Sequence, residues 1–191
     1  MKSENNSFMI FACNSKEVSS LLKTVLIDSL KQSKTKYEFI NKDGEDYILL
    51  INKDITDDLK ETALSLLQDL DNDISVLEGF RYSEKEQLEG IYKCFKDYNS
   101  IGYTKIADII LKLSDEDLKP IKEMLLSKLK DNYLKEIIIG MFKSNLNISK
   151  AASVVYMHRN TINNKLDTIQ KETGLDIQNF YEAMAMNRIL N

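Results

Sequence analysis

Cysteine and histidine are nearly absent from this chain of 191 residues: the two cysteines are Cys13 and Cys94, and the one histidine is His158. The cysteines are too far apart in sequence for a Cys-x-x-Cys motif, and one histidine does not complete a zinc set, so no metal site is expected. Cys13 ends an apolar run and Cys94 neighbours Ile91 and Phe95, so both are read as reduced thiols in or near a core. Long hydrophobic runs are missing too. No stretch reaches the roughly eighteen apolar residues that a bilayer demands. The N-terminus has no apolar signal region, so the expected compartment is the cytoplasm, with no membrane partner. There is no glycine-rich phosphate loop and no nucleophile elbow, which leaves no catalytic residue and no cofactor to nominate. Nor is there an excess of basic charge. A formal charge of −4 argues against a protein that holds nucleic acid over a uniformly basic surface.

What is present is a compact pattern near the C-terminus. With 43% hydrophobic residues the chain can bury a real core, and its length accommodates one or two domains; two is the expectation. Between Asn145 and Leu166 the residues suit a helix-turn-helix, which needs small residues where two helices cross, an apolar plug at the corner and a second helix with one free polar face. Ala151 and Ala152 are the small residues, and Val155 and Met157 the plug. Ile162, Leu166 and Ile169 recur at the i, i+4, i+7 spacing of a single buried stripe. Arg159, Asn160, Asn163 and Asn164 then point away from that stripe, with Lys165 on its flank. These are side chains suited to DNA: Arg forks onto a guanine edge, Asn onto an adenine edge, and Lys places a charge beside a phosphate. Ser149 and Lys150, on the preceding helix, are expected at the backbone. His158 stands at the cap of the second helix and is expected to cap it or to meet a phosphate. Tyr156 occupies a turn position where this motif often has glycine, a conformation less tolerant of a bulky side chain. From Asn145 to Glu172, Lys150, Arg159, Lys165 and Lys171 outnumber Asp167 and Glu172, so positive charge gathers where the motif is. The small excess predicts modest affinity per subunit and a homodimer on double-stranded DNA.

The run Ala-Ala-x-x-x-Tyr-Met-His-Arg-Asn-Thr-Ile-x-x-Lys-Leu-Asp-x-Ile, followed by Thr-Gly-Leu-Asp and a last amphipathic helix, resembles the C-terminal DNA-binding domain of PucR/CdaR-type bacterial transcriptional regulators. His-Arg-Asn-Thr at 158–161 and Gly-Leu-Asp at 174–176 are its most specific elements. The resemblance implies that the helix opening with this tetrapeptide is the recognition helix and assigns DNA contact to Arg159, Asn160 and Thr161. Family members commonly have an arginine and an aromatic residue where this chain has Asn163 and Asn164, which implies a different base preference. Two other readings stay open on the pattern itself: a Fis-like nucleoid protein tolerant of sequence, and an adaptor whose helix-turn-helix face packs on another protein.

The first hundred residues alternate strand-like and helix-like segments. Ser7–Cys13 is short and apolar, Lys16–Lys31 is apolar at helical spacing, and the strand-like segments 37–40 and 47–51 flank an Asp43-Gly44 hairpin signal. A helix over 57–70, a strand over 74–80 and a helix opened by a Ser83-x-x-Glu86 capping box follow. The order βαββαβα predicts an open antiparallel sheet with helices on one face, a ferredoxin-like arrangement. Together with Asp-Gly-Glu-Asp-Tyr in the hairpin, that order resembles the degenerate GGDEF-like domain that precedes the DNA-binding domain in PucR/CdaR regulators. True GGDEF enzymes hold magnesium on carboxylates of the first strand and this hairpin. Here the first strand ends Phe11-Ala12-Cys13-Asn14, and Glu45 and Asp46 are read as two acids at a solvated tip. No cyclase activity is therefore expected; binding a small-molecule effector and forming the dimer are the two roles open to this domain.

The expected fold class is thus α+β, divided into a GGDEF-like domain (1–100), a linker helix (101–114) and an all-α helix-turn-helix domain (115–191). In the last of these, Ser114 with Asp117 reads as a start signal, and Pro120 either sits in the first turn or kinks the helix. Leu134, Ile138 and Met141 form the core stripe under the motif. Gly174 reads as a stop and Asp176 as the next cap. Ile177, Phe180 and Met184 are expected to pack back, leaving Met186, Ile189 and Leu190 to reach a partner.

Overall fold

The computed structural model describes residues 6–70, 73–99 and 101–191; the expected domain bounds at Met1 and Ser100 lie outside them. The chain divides into two compact units between Ile106 and Ala107. In the first unit the elements run β1 (Ser7–Cys13), α1 (Lys16–Gln32), β2 (Tyr37–Asn41), β3 (Tyr47–Ile51), α2 (Asp57–Asp69), β4 (Ile74–Arg81), α3 (Gln87–Tyr98) and β5 (Gly102–Lys105). Ser15 starts α1 by accepting the Val18 N–H at 3.3 Å, and Thr56 starts α2 by accepting that of Leu59 at 3.4 Å. Each thereby satisfies a donor with no partner inside its helix.

The strands form one sheet in the order β2-β3-β1-β4-β5. β1 pairs antiparallel with both β3 and β4, and β2 antiparallel with β3, which is the ferredoxin-like order expected for four strands. The fifth strand departs from it. Gly102–Lys105 pairs parallel with Ser75–Glu78, so the sheet is mixed, and a strand stands where the sequence predicts part of a linker helix. Four residues are too few to show a strand period, and a parallel pair needs a crossover, which α3 provides.

One face of the sheet, with Met9, Phe11, Leu49, Ile51 and Val76, packs on Leu22, Leu26 and Leu30 of α1 and Leu59, Ala63 and Leu66 of α2. The other face is covered as well, because all five residues of β3 are buried. On that second face Glu38, which alternates with Phe39 along β2, pairs at 2.5 Å with Lys85 just ahead of α3. Helices therefore lie on both faces rather than one. The Ser83 capping box does not form: α3 begins at Gln87 with Glu86 in helical conformation and no side-chain cap. Backbone turns from Gln87 to Glu84 and from Leu88 to Lys85 satisfy the entry instead.

The second unit is helical: α4 (Ile106–Lys112), all but its first residue in this unit, leads to α5 (Lys119–Lys128), α6 (Asn132–Lys143), α7 (Ile148–Val154), α8 (Arg159–Thr173) and α9 (Phe180–Leu190). Ser114 and Asp117 do bond to each other, the Asp117 N–H reaching Ser114 Oγ at 3.2 Å, but they cap a turn that precedes α5. Pro120 sits in the first turn of α5, where no N–H is missed. Ile121, Leu125, Ile137, Ile138, Met141, Ile162, Leu166, Ile169, Met186 and Ile189 are all buried in this unit. The Arg188 guanidinium donates to the carbonyls of Ile110 and Leu113 at 2.5 and 2.7 Å, closing the end of α4. Among the described residues no helix is long and apolar enough to cross a membrane.

The last helix corrects the sequence reading. Asn179, not Asp176, caps α9, and its buried stripe is Glu182, Ala183, Ala185, Met186 and Ile189. Phe180 and Met184 are exposed. Ile177 lies ahead of the helix, so the stripe through Phe180 and Met184 is short, whereas the stripe through Met186 and Ile189 spans the whole helix and wins the core.

Candidate nucleic-acid interface

The corner between α7 and α8 is built from small residues and backbone bonds. Asn147 opens α7 by accepting the Lys150 N–H at 3.0 Å. Ala151 is fully buried and Ala152 nearly so, which lets the helices cross closely. Their carbonyls then accept the N–H groups of Val155 and Met157, both at 2.9 Å, and fold the chain back. Val155 seats on α6 at Gly140, where a Cβ would stand only 2.6 Å from the Val155 Cγ1. The missing side chain of Gly140 is therefore the socket for the corner plug.

His158 takes extended backbone geometry (φ −71°, ψ 141°), and its Nδ1 accepts the Asn160 N–H at 3.2 Å. That bond needs an unprotonated Nδ1, and it realises the capping role expected of this residue. At the other end Gly174 adopts φ +71° and donates its N–H to the Gln170 carbonyl at 2.7 Å, terminating α8 as the sequence predicts. Ile162, Leu166 and Ile169 are buried, and Thr173 continues their stripe with its hydroxyl bonded to the Ile169 carbonyl at 2.6 Å. A feature with no sequence signal steadies α8 from behind: Lys128 of α5, its side chain 4% exposed, pairs with Glu172 at 3.2 Å.

With that stripe inward, Arg159, Asn160, Thr161, Asn163 and Asn164 are exposed and Lys165 is half-buried. His158, and Ser149 and Lys150 of α7, are exposed too. The nine expected contact residues thus lie on α7, on α8 and at the α8 cap, where His158 Nδ1 is already engaged by the Asn160 N–H. Tyr156 has φ +54° and is 96% exposed.

Residues 134–187 match the PucR C-terminal helix-turn-helix domain. The match takes in nearly all of α6, the corner, α8 and most of α9, so it spans the Gly140 socket as well as the two helices of the corner. The chain is also similar to the crystal structure of a regulator of polyketide synthase expression from Bifidobacterium adolescentis. That likeness is 12% in sequence identity with a TM-score of 0.43, over 97% of this chain and 78% of the other. No curated protein is a match.

The hairpin acids of the first unit have a different character from the solvated pair expected. Glu45 is half-buried and its carbonyl accepts the Ser19 hydroxyl at 2.9 Å. Asp46 is buried. Its Oδ1 accepts the Cys13 N–H at 2.9 Å, and its Oδ2 accepts both the Tyr92 hydroxyl and Lys96 Nζ at 2.8 Å. One carboxylate thus ties the end of β1, the hairpin and α3 together. Burial, with the charge of Asp46 beside it, pushes the Cys13 thiol up to about 11, so it is a poor nucleophile near neutral pH.

Proposed function

We propose that the chain is a transcriptional regulator of bacterial type that binds double-stranded DNA as a homodimer through α7 and α8. The observation that carries this reading is the polar face of α8, held free by a buried stripe on the opposite side inside a PucR-type motif. In this reading α8 enters the major groove. Asn160 and Asn163 read base edges, and Arg159 and Lys165 anchor phosphates or a guanine edge. Thr161 and Asn164 line the same groove, while Ser149, Lys150 and the His158 cap meet the backbone. Two copies about one helical turn apart would match a two-fold symmetric site.

The first unit is read as a GGDEF-like domain without cyclase chemistry. Both oxygens of Asp46 are engaged with the fold, and the strand end facing it offers Cys13 in place of a carboxylate. Forming the dimer contact or holding a small-molecule effector is the role proposed for this unit.

The deciding experiment selects genomic fragments with the purified protein and repeats the selection with Arg159→Ala. A shared palindromic site lost in the variant is the expected result; enrichment without any common sequence would favour a Fis-like protein, and no salt-sensitive binding would favour an adaptor. On the selected site, Asn160→Ala is expected to lose about 1–3 kcal/mol of discrimination, whereas Lys150→Ala weakens all sequences alike and lowers the salt slope by about one. Equal losses for Asn160→Ala on selected and random duplex would remove its base-reading role.

A further inference from the structure

Tyr156 combines two features that are costly together. Its backbone is in the left-handed region at φ +54°, which L-residues with large side chains rarely occupy, and its side chain is 96% exposed. Leu146 also has positive φ, at 60°, but is half-buried, so packing inside the protein offsets its conformation. Tyr156 has no such packing: its turn is closed by the backbone, the Met157 N–H meeting the Ala152 carbonyl at 2.9 Å, while its side chain stays in solvent. Its ring makes no ring contact and its hydroxyl no hydrogen bond among the described residues. Glycine or asparagine would take this turn with less strain. A bulky aromatic residue kept in a left-handed turn with no hydrogen bond or ring contact from its side chain is held against local preference, and such positions gather where a complex uses them.

Its place in the chain identifies the complex. Tyr156 is three residues before Arg159, the first residue of α8, so the two Cα atoms are at most about 11 Å apart. The major groove is about 12 Å wide, so a residue that close to a helix end seated in the groove lies at its phosphate rim. We infer that Tyr156 is a DNA-backbone contact, its ring against a deoxyribose and its hydroxyl donating to a phosphate oxygen beside the bases that α8 reads. This inference rests on the DNA-binding reading above and adds a contact outside the polar face of α8. The aromatic body and polar tip of tyrosine suit a surface that presents a sugar and a phosphate side by side.

The test uses the full chain with Tyr156→Phe, Tyr156→Asn and Arg159→Ala, titrated against the selected fragment and a random-sequence duplex of equal length, with a thermal melt of each variant. Tyr156→Asn is expected to melt a few degrees above the parent, because the turn is relaxed, yet to bind both duplexes about tenfold more weakly. Tyr156→Phe, which keeps the ring and loses the hydroxyl, should bind both about threefold more weakly. Loss of affinity in a more stable protein cannot come from misfolding. Parent-like affinity in both Tyr156 variants, with Arg159→Ala still defective, would overturn this inference and leave the DNA reading standing. Absence of salt-sensitive binding by the parent protein would overturn both.

Discussion

Single residues in the first unit show how unevenly polar groups are served. Asp46 receives three donors, while the Tyr47 hydroxyl next to it in sequence is buried without a hydrogen-bond partner among the described residues. A buried orphan hydroxyl costs about 1–3 kcal/mol, whereas the ring earns its place: it contacts those of Phe11 and Phe39 at 5.4 and 5.3 Å between centroids. Tyr47→Phe keeps the ring and removes the orphan. Urea denaturation is therefore expected to show it more stable than the parent by about 1 kcal/mol. A destabilised Tyr47→Phe would mean that the hydroxyl has a partner after all, such as an ordered water. Asp46 gives the opposite expectation, since Asp46→Ala strands the Tyr92 hydroxyl and the Cys13 N–H, and a loss of about 2–3 kcal/mol should follow in the same assay. The sequence pairs Glu45 and Asp46 as two acids at a tip, and nothing local distinguishes them. Their difference is made by α3, some fifty positions away, so only the fold reveals it.

At the scale of elements, legibility follows from whether the signal is local. The caps at His158 and Gly174 are readable because each depends on residues within one helical turn, and the stripe of Ile162, Leu166 and Ile169 because it repeats along one helix. The Ser83 box, the short strand β5 and the facing of α9 are misread because backbone turns, a partner strand and competing stripes decide them. Gly140 belongs with the second group. In the middle of α6 it looks like a weak point in a helix, and Gly→Ala there would ordinarily gain up to about 1 kcal/mol of helix propensity. The 2.6 Å approach of Val155 reverses the sign, because a β-branched side chain in a tight corner has few rotamers to retreat into. Gly140→Ala is expected to destabilise by about 1–2 kcal/mol through overpacking. In a Val155→Ala background the same substitution should stabilise, since the added methyl occupies space the valine has vacated. Additive effects in this double-mutant cycle would show that Gly140 and Val155 do not share the socket.

Across the whole molecule, the groups among the described residues whose proton affinity is raised lie on one side of the Ile106/Ala107 division. Burial raises the Cys13 thiol to about 11, and burial also raises Tyr47, Tyr92 and Tyr103, Tyr92 with help from its bond to Asp46. All four belong to the first unit. A group whose folded pKa is raised binds its proton more tightly in the native state. Its contribution is therefore complete below the unfolded value and is lost as pH climbs toward the folded one. For Cys13 that window runs from the ordinary thiol value of 9.0 to about 11, and the tyrosines extend the loss upward from their ordinary value of 10.0. Alkali is thus expected to unfold the α/β unit ahead of the helical one. Between pH 8 and 10.5 melting followed by circular dichroism should fall in temperature and split, the later step retaining helix signal. Cys13→Ala should make the decline between pH 9 and 10 shallower, because the first group to surrender its proton is gone. If the parent melts as a single step with unchanged midpoint over that range, the protons are not held by the fold in the way these buried groups require.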